Sequence, residues 1–462
     1  MKLVKIGGIK NIFIVVLTIA AVYQTALLWL ENYSGHNFFY SFFSSEYNYN
    51  GQDELLTAPI DPKNVIIGYG NKTFSVTYPG IDEGGVIGKT NLFIEEMLKN
   101  GSPETVETAF DEYISQKCII LDFSIDVLPS QYFLGFGGID NEEGYSSLNA
   151  INQIIAVPSA GRTEENKLYI VDSDGGKTCA VTLRGSKYAE KLTTAINNAE
   201  IANMEKLKYI STKQNGFNIF KENVFVPQWS QSGYQYAAVT PENSIDKFGT
   251  NTFAALENAS SVFFIGYSAK TTVKDNDGIY SVSTNDIIVK YYPTHVLEYY
   301  NYTRSENNTE QNLSSAYYAC RRFLKNDKSL NTDVFLTGVE FNSNGLLFRF
   351  DYSVNDMPVF FSDSLKKELN MEHAIEIFVE GGAVKRYRRY ARDFVLSPSR
   401  TKTVSTDFLG AMNTVMAGLE TPANEIENLV LGYNAVSEGE SILMWYMSVD
   451  GAEYITEASA AE

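Results

Sequence analysis

Residues 12–30 read IFIVVLTIAAVYQTALLWL, nineteen residues without a charge. As a helix this run rises about 28 Å at 1.5 Å per residue, close to the ~30 Å hydrocarbon core of a bilayer. Lys2, Lys5 and Lys10 precede it with no acid among them, and the next charge is Glu31. That asymmetry places residues 1–11 in the cytoplasm and everything after Leu30 outside the cell membrane. Trp29 falls where an interfacial anchor belongs. A cleaved signal peptide has a shorter apolar stretch and a small-residue exit. Here the exit is Leu-Glu-Asn-Tyr-Ser-Gly, and the first cysteine is Cys118, too distant for a lipidation site. The expectation is an uncleaved single-pass anchor at 12–30.

One face of that helix carries Thr18, Ala21 and Thr25 at i, i+3 and i+7, with Gln24 beside them. Between helices in lipid, small residues permit close approach and polar groups bond across the contact. Thr18, Ala21, Gln24 and Thr25 therefore form a candidate face for a partner helix. The competing reading is a plain anchor whose Thr hydroxyls bond back to their own helix.

The rest of the chain has to fold in water. With 462 residues, length alone allows about three domains, and 44% apolar residues can bury real cores. Fifty-six acids against 37 bases give a net charge of −19, which makes nucleic acid a poor partner because phosphates are repelled. Cys118, Cys179 and Cys320 are too scattered for a disulfide scaffold or a thiolate zinc site. His36, His295 and His373 are equally far apart. No nucleophile elbow, His-Glu-x-x-His, Walker loop or Cys-x-x-Cys occurs. The stretches beginning at Asp172 and Asp275 resemble calcium loops only in their first residues and read as turns. No catalytic residue, metal site or cofactor is expected, and the chain reads as non-enzymatic.

Periodicity and turn chemistry give an α+β chain with antiparallel sheets, in three extracytoplasmic units after the anchor. The first, 31–212, has strand-like 64–77, helices over 91–99 and 103–116, a buried strand over 118–127, a hairpin over 168–183 and a helix over 187–208. The second, 213–302, has a helix near 251–258, strand-like SVFFIGY and a hairpin over 286–300. Residues 303–314 are polar and read as a linker. The third, 315–455, opens with a helix over 315–325, holds a hairpin over 374–390 and a helix over 407–419, and ends in two strands before the tail 456–462.

The last two hairpins superpose at an offset of 88. Ile287 matches Ile375, Val296 matches Val384, Tyr299 matches Tyr387 and Tyr302 matches Tyr390. The last two units are therefore expected to be related modules.

One of these strands holds five cations in eight residues: Lys385, Arg386, Arg388, Arg389 and Arg392. On a strand, Arg386 and Arg388 point one way, and Lys385 and Arg389 the other. The functional reading is an anion- or partner-facing patch, as in an envelope protein that binds a ligand or wall polymer. The bland reading is a solvated edge strand whose charges discourage edge pairing.

Taken together, these stretches resemble the YycH-type regulators of the YycFG (WalKR) two-component system of Gram-positive bacteria. The resemblance begins with IKNIFIVVLTIAAVYQTALLW, with Thr25 and Trp29 in its closing Thr-x-x-Leu-Trp. It continues through CIILDFSIDVLPSQYF and VKYYPTHVLEYYN. The third unit, with LLFRFDYSVNDMPVF, IEIFVEGGAVKRYRRY, LGYN and ILMWYMSVDGAEY, is similar to the YycH/YycI β-rich module, itself loosely PepSY-like. The resemblance implies a complex with a YycI-like protein and a WalK/YycG-like sensor histidine kinase, whose activity is adjusted through transmembrane contacts. It brings no catalytic residue with it.

Overall fold

The computed structural model describes residues 57–459 apart from 81–84, 107–113, 140–141, 160, 162–163, 204–206, 230–232, 266, 268, 304–311 and 420–422. All of these belong to one compact unit, Leu55–Glu462. The anchor expected at 12–30, with Thr18, Ala21, Gln24 and Thr25, lies outside the described residues. Among the described residues no helix is long and apolar enough to cross a membrane.

Among the described residues, nine strands in the first part of the chain form one sheet. They are β1 (Asn64–Tyr69), β2 (Phe74–Thr77), β3 (Ser102–Val106), β4 (Lys117–Val127), β5 (Ile151–Val157), β6 (Glu165–Asp172), β7 (Lys177–Arg184), β8 (Lys208–Ser211) and β9 (Phe225–Gln228), in the order β3-β7-β6-β5-β4-β1-β2-β8-β9. Cys118, Ile119, Ile120 and Leu121 are buried consecutively, as expected of a strand covered on both faces. Helix α1 (Gly85–Asn100) supplies part of the cover. Its Thr90, Phe93, Ile94, Met97 and Leu98 recur at helical spacing and are all buried. Helices α2 (Pro129–Leu134) and α3 (Ala189–Ala202) follow, and α3 packs on α1, β1 and β4.

The helix expected over 103–116 is corrected at its start, because Ser102–Val106 is a strand paired with β7. Pro103 fits there because β3 is the outermost strand of the sheet among the described residues, where one edge has no ladder bond to give. The hairpin expected over 168–183 is β6–β7. Its Asp172 carboxylate accepts the Gly175 N–H at 2.7 Å, and Gly176 takes φ +62° to close the turn.

The remaining strands are β10 (Tyr234–Asn243), β11 (Thr271–Lys274), β12 (Tyr280–Ser283), β13 (Ile287–Tyr291), β14 (Val296–Asn301), β15 (Asp333–Asn342), β16 (Gly345–Val354), β17 (Met357–Phe361), β18 (Ile375–Glu380), β19 (Ala383–Tyr390), β20 (Arg392–Val404), β21 (Ile426–Ala435), β22 (Ile442–Val449) and β23 (Ala452–Glu457). The helices are α4 (Thr252–Ser260), α5 (Leu313–Asn326), α6 (Asp363–Leu369) and α7 (Phe408–Gly418). Strands β10 and β20 pair as a long ribbon. Among the described residues the others form a twelve-stranded sheet in the order β11-β12-β13-β14-β19-β18-β16-β17-β21-β22-β23, with β15 on β16. Its ladders are antiparallel except β17–β21.

SVFFIGY is not a strand where it begins. Ser261–Phe264 is a 3-10 turn running on from α4, with Phe263 and Phe264 buried. A short apolar run looks the same to periodicity whether a strand or a turn buries it.

The 88-residue offset has a geometric counterpart. Ile287 pairs with Asn301 in the first hairpin, and Ile375 pairs with Arg389 in the second, each residue 88 further on. Val289–Tyr299 and Ile377–Tyr387 repeat the relation. The hairpins lie side by side through β14 and β19, so Tyr299 stands directly opposite Tyr387. Outward from this seam run β14, β13, β12, β11 on one side and β19, β18, β16, β15 on the other. Residues on either side of 303–314 thus share one sheet.

One face of the seam is closed by the helical layer. Phe263 and Phe323 stack at 4.9 Å beneath it, and each also contacts both Tyr299 and Tyr387. Helix α5 packs on β16, β18 and β19.

Candidate interaction surface

Strand β19 is paired on both sides, with β14 and with β18. It is therefore not the solvated edge that its charge density suggests. The pleat sends its five-cation run to different environments.

Arg389 points into the helix-covered face and is fully buried. Its Nε lies 3.3 Å from Asp327 Oδ2, and its terminal nitrogens donate to Ser329 O at 3.1 Å and Ser329 Oγ at 2.6 Å. Asp327, at the C-terminus of α5, also accepts from Tyr387 Oη at 2.7 Å and from Ser329 N and Oγ. Burial opposes the charge of Arg389, but Asp327, Tyr387 and Tyr352 outweigh it and hold the guanidinium protonated above its ordinary range. This group ties α5 to β19.

Arg388 lies on the opposite face. It donates from Nε to Glu298 at 2.9 Å and from a terminal nitrogen to Glu376 at 3.4 Å. Cross-strand pairing extends the pattern: Lys290 opposite Glu298, Glu298 opposite Arg388, Arg388 opposite Glu376, Glu376 opposite Arg349. A row of alternating charge therefore crosses β13, β14, β19, β18 and β16. Opposite charges in directly facing positions stabilise a sheet and fix its register. Tyr292 and Tyr300 both donate to Glu298 Oε2, at 2.7 and 3.1 Å. Burial, reinforced by Glu298, pushes both phenols up.

The neighbouring row on this face is apolar except for one residue. It runs Ile288, Tyr300, Arg386, Phe378, Leu347. Arg386 is exposed between the two aromatic side chains, and Tyr302 stacks on Tyr300 at 6.3 Å with 64% of its surface open. This half-covered sheet face, with Arg386 at its centre, can take an aromatic or acidic group from a partner.

The other two cations of the run bond to backbone. Lys385 Nζ donates to Thr303 O at 2.6 Å, and Arg392 donates to Pro241 O at 3.1 Å. The structure thus does not gather Lys385, Arg386, Arg388, Arg389 and Arg392 into one patch. It leaves Arg386 facing solvent.

Sequence reasoning missed a second constellation. Asp61, 8% exposed, accepts from Tyr317 Oη at 2.8 Å and lies 3.3 Å from Arg321 Nε, both on α5. Ser314 donates to Ala58 O at 2.6 Å, and Thr57 donates to Leu134 O at 3.0 Å. Residues 57–61 are fastened to α5 and α2 by hydrogen bonds and an ion pair to groups more than 70 positions away, which no local pattern announces. Among the described residues no group of three or more His, Cys, Asp or Glu side chains is placed to hold a metal ion.

The architecture is mixed α+β, and its fold is YycH-like. The crystal structure of YycH from Bacillus subtilis superposes with a TM-score of 0.53 at 13% identity, covering 87% of this chain and 97% of that one. The Bacillus megaterium YpeB C-terminal domain aligns with a TM-score of 0.27 at 14% identity, over 44% of this chain and 90% of that one. No protein-family model and no curated protein matches the chain.

Proposed function

We propose that this chain is a non-enzymatic, membrane-anchored regulator that adjusts a WalK/YycG-like sensor histidine kinase, acting with a YycI-like protein. The observation that carries this reading is the fold likeness to YycH over nearly the whole of that chain. The uncharged run at 12–30 supports it, because an anchor beside the kinase gives the regulator a route into the bilayer. A partner helix shifts a kinase between two packing states only by its difference in affinity for them. The outer body then positions the anchor, and the Tyr300–Arg386–Phe378 row offers it a second contact.

The alternative, an envelope protein binding a polymer or ligand through 385–392, is weakened by the dispersal of those cations. Arg389 and Arg388 already hold carboxylates, and Lys385 and Arg392 hold carbonyls.

The test is co-purification of the full-length chain with a kinase of this type from membranes. Replacing Thr18 and Thr25 together by Leu is expected to abolish the association while the outer body stays folded. Unchanged recovery of the kinase counts against the proposal.

A further inference from the structure

β15 changes character half-way along its length. Val334, Phe335 and Leu336 are buried, with the Tyr78 ring 4.6 Å from Phe335 and Ser124 Oγ donating to Leu336 O at 3.4 Å. Its register with β16 then shifts between Leu336 and Gly338. Beyond that bulge the strand leaves its cover, and Phe341 is 64% exposed. β4 is interrupted nearby. Its ladder with β5 is irregular between Asp122 and Val127, and its pairing with β1 ends at Asp122. Bulges bend a strand and end its pairing, and they gather beside functional sites.

The two interrupted stretches flank a groove of about 420 Å³, lined by Phe123, Ser124, Ile125, Asp126, Val339 and Phe341. Three properties of the groove select an occupant. Among the described residues β15 pairs with β16 alone, so its outer edge offers backbone donors and acceptors in a row. Such edges are normally blunted by charge, proline or cover; over 338–342 this one carries a single charge, Glu340, which Arg349 on β16 holds, next to the exposed Phe341. Phe123, Ile125, Val339 and Phe341 contribute apolar side chains to a lining that is mixed polar and apolar. The charged lining residue is Asp126, whose carboxylate favours a cation.

We propose that this groove takes an extended peptide segment of another polypeptide, added as a strand along the outer edge of β15 and against residues 123–126 of β4. The segment presents alternate apolar side chains to Phe341 and Val339 and a basic side chain to Asp126. Main-chain hydrogen bonds supply affinity in this mode, and pockets for alternate side chains supply specificity. The five residues 338–342 would match an added strand of five or six residues, about 17–20 Å long. This inference goes beyond the kinase reading and does not rest on it.

The experiment uses the full chain in detergent and a fluorescent hexapeptide of alternating Val and Lys, followed by anisotropy. Saturable binding is expected, weakened about tenfold or more by Phe341→Ser, equivalent to ~1.4 kcal/mol. Methylating alternate peptide nitrogens is expected to weaken it as much, and Asp126→Lys to shift preference to a second hexapeptide, of alternating Val and Glu. Phe341 is exposed, so the Ser variant keeps its fold, and circular dichroism checks that. The proposal is overturned by absent binding, by equal binding to Phe341→Ser, or by full affinity for the methylated peptide. Dimerisation of the chain that Phe341→Ser abolishes would also overturn it, assigning the groove to a second copy.

Discussion

Arg389 on β19 and Asp327 at the end of α5 face each other at 3.3 Å with neither side chain exposed to solvent. A buried pair adds little over a well-packed apolar pair, but removing one member strands the other charge. Asp327→Ala is therefore expected to cost about 3–5 kcal/mol, read as a fall in the urea midpoint. Tyr387→Phe, which removes one hydrogen bond to the same carboxylate, is expected to cost about 1.5–3 kcal/mol.

Arg388 and Arg386 are two residues apart on one face, yet they should respond differently. Arg388 separates Glu298 from Glu376, and its side chain is 18% exposed. Arg388→Ala leaves the buried Glu298 and the half-buried Glu376 without their shared cation and should cost about 2–4 kcal/mol. Arg386→Ala, on an open surface, should stay within about 0.5 kcal/mol. Equal losses in thermal unfolding would contradict the alternating charge row.

Two histidines give stability slopes of opposite sign. Burial works against protonation of His373, but Asp351, 3.0 Å from its Nδ1, wins and raises its pKa. That contribution is complete below the free imidazole value of about 6.5 and is lost as pH rises through the folded value. Burial and then Arg392 lower the pKa of His295, which is hydrogen-bonded to Tyr291 at 2.7 Å. Its neutral form is required, so stability falls as pH drops through 6.5 and below. The advantage of the parent chain over His373→Gln in denaturation midpoint should shrink from pH 5.5 to pH 8.5. That penalty at low pH should be smaller in His295→Asn than in the parent chain.

Asp61 should control whether residues 57–63 stay attached. The described backbone there has few ladder bonds, among them Lys63 N to Asp122 O at 2.7 Å. Asp61→Ala removes the acceptor of the Tyr317 hydroxyl and one partner of Arg321. Faster hydrogen exchange and protease nicking are expected at 57–63, with the amides of β16 and β18 unchanged, because such segments open as local units.

All three thiols should be silent in the native protein. Burial pushes the Cys118 thiol up to about 12 and the Cys179 thiol up to about 11, and Cys320 is also raised by burial. A thiol-specific reagent should label none of them until denaturant unfolds the chain.

The strands and turns were legible because their causes are local. Alternating apolar residues mark 287–301 and 375–390, and Asp172 with Gly176 marks the β6–β7 turn. The 88-residue spacing carried the register from Ile287–Asn301 to Lys290–Glu298, since a two-residue side-chain period sets which residues face each other, but not towards the turns, where a bulge between Phe378 and Val379 has no counterpart in the first hairpin. Pro103 and Phe263 misled for the same reason: β3 tolerates its proline because it lies at an edge, and Phe263 is buried by a turn.

The sequence by itself determined an acidic α+β chain, its antiparallel hairpins and two that match. Only the tertiary structure decided that β14 meets β19, that Tyr299 stands opposite Tyr387, and that Arg389 is buried while Arg386 faces water. The charges of 385–392 are identical in kind, so their roles depend on which strands flank them. That is settled by which distant edges pair and which face a helix covers, and neither is written in any local window.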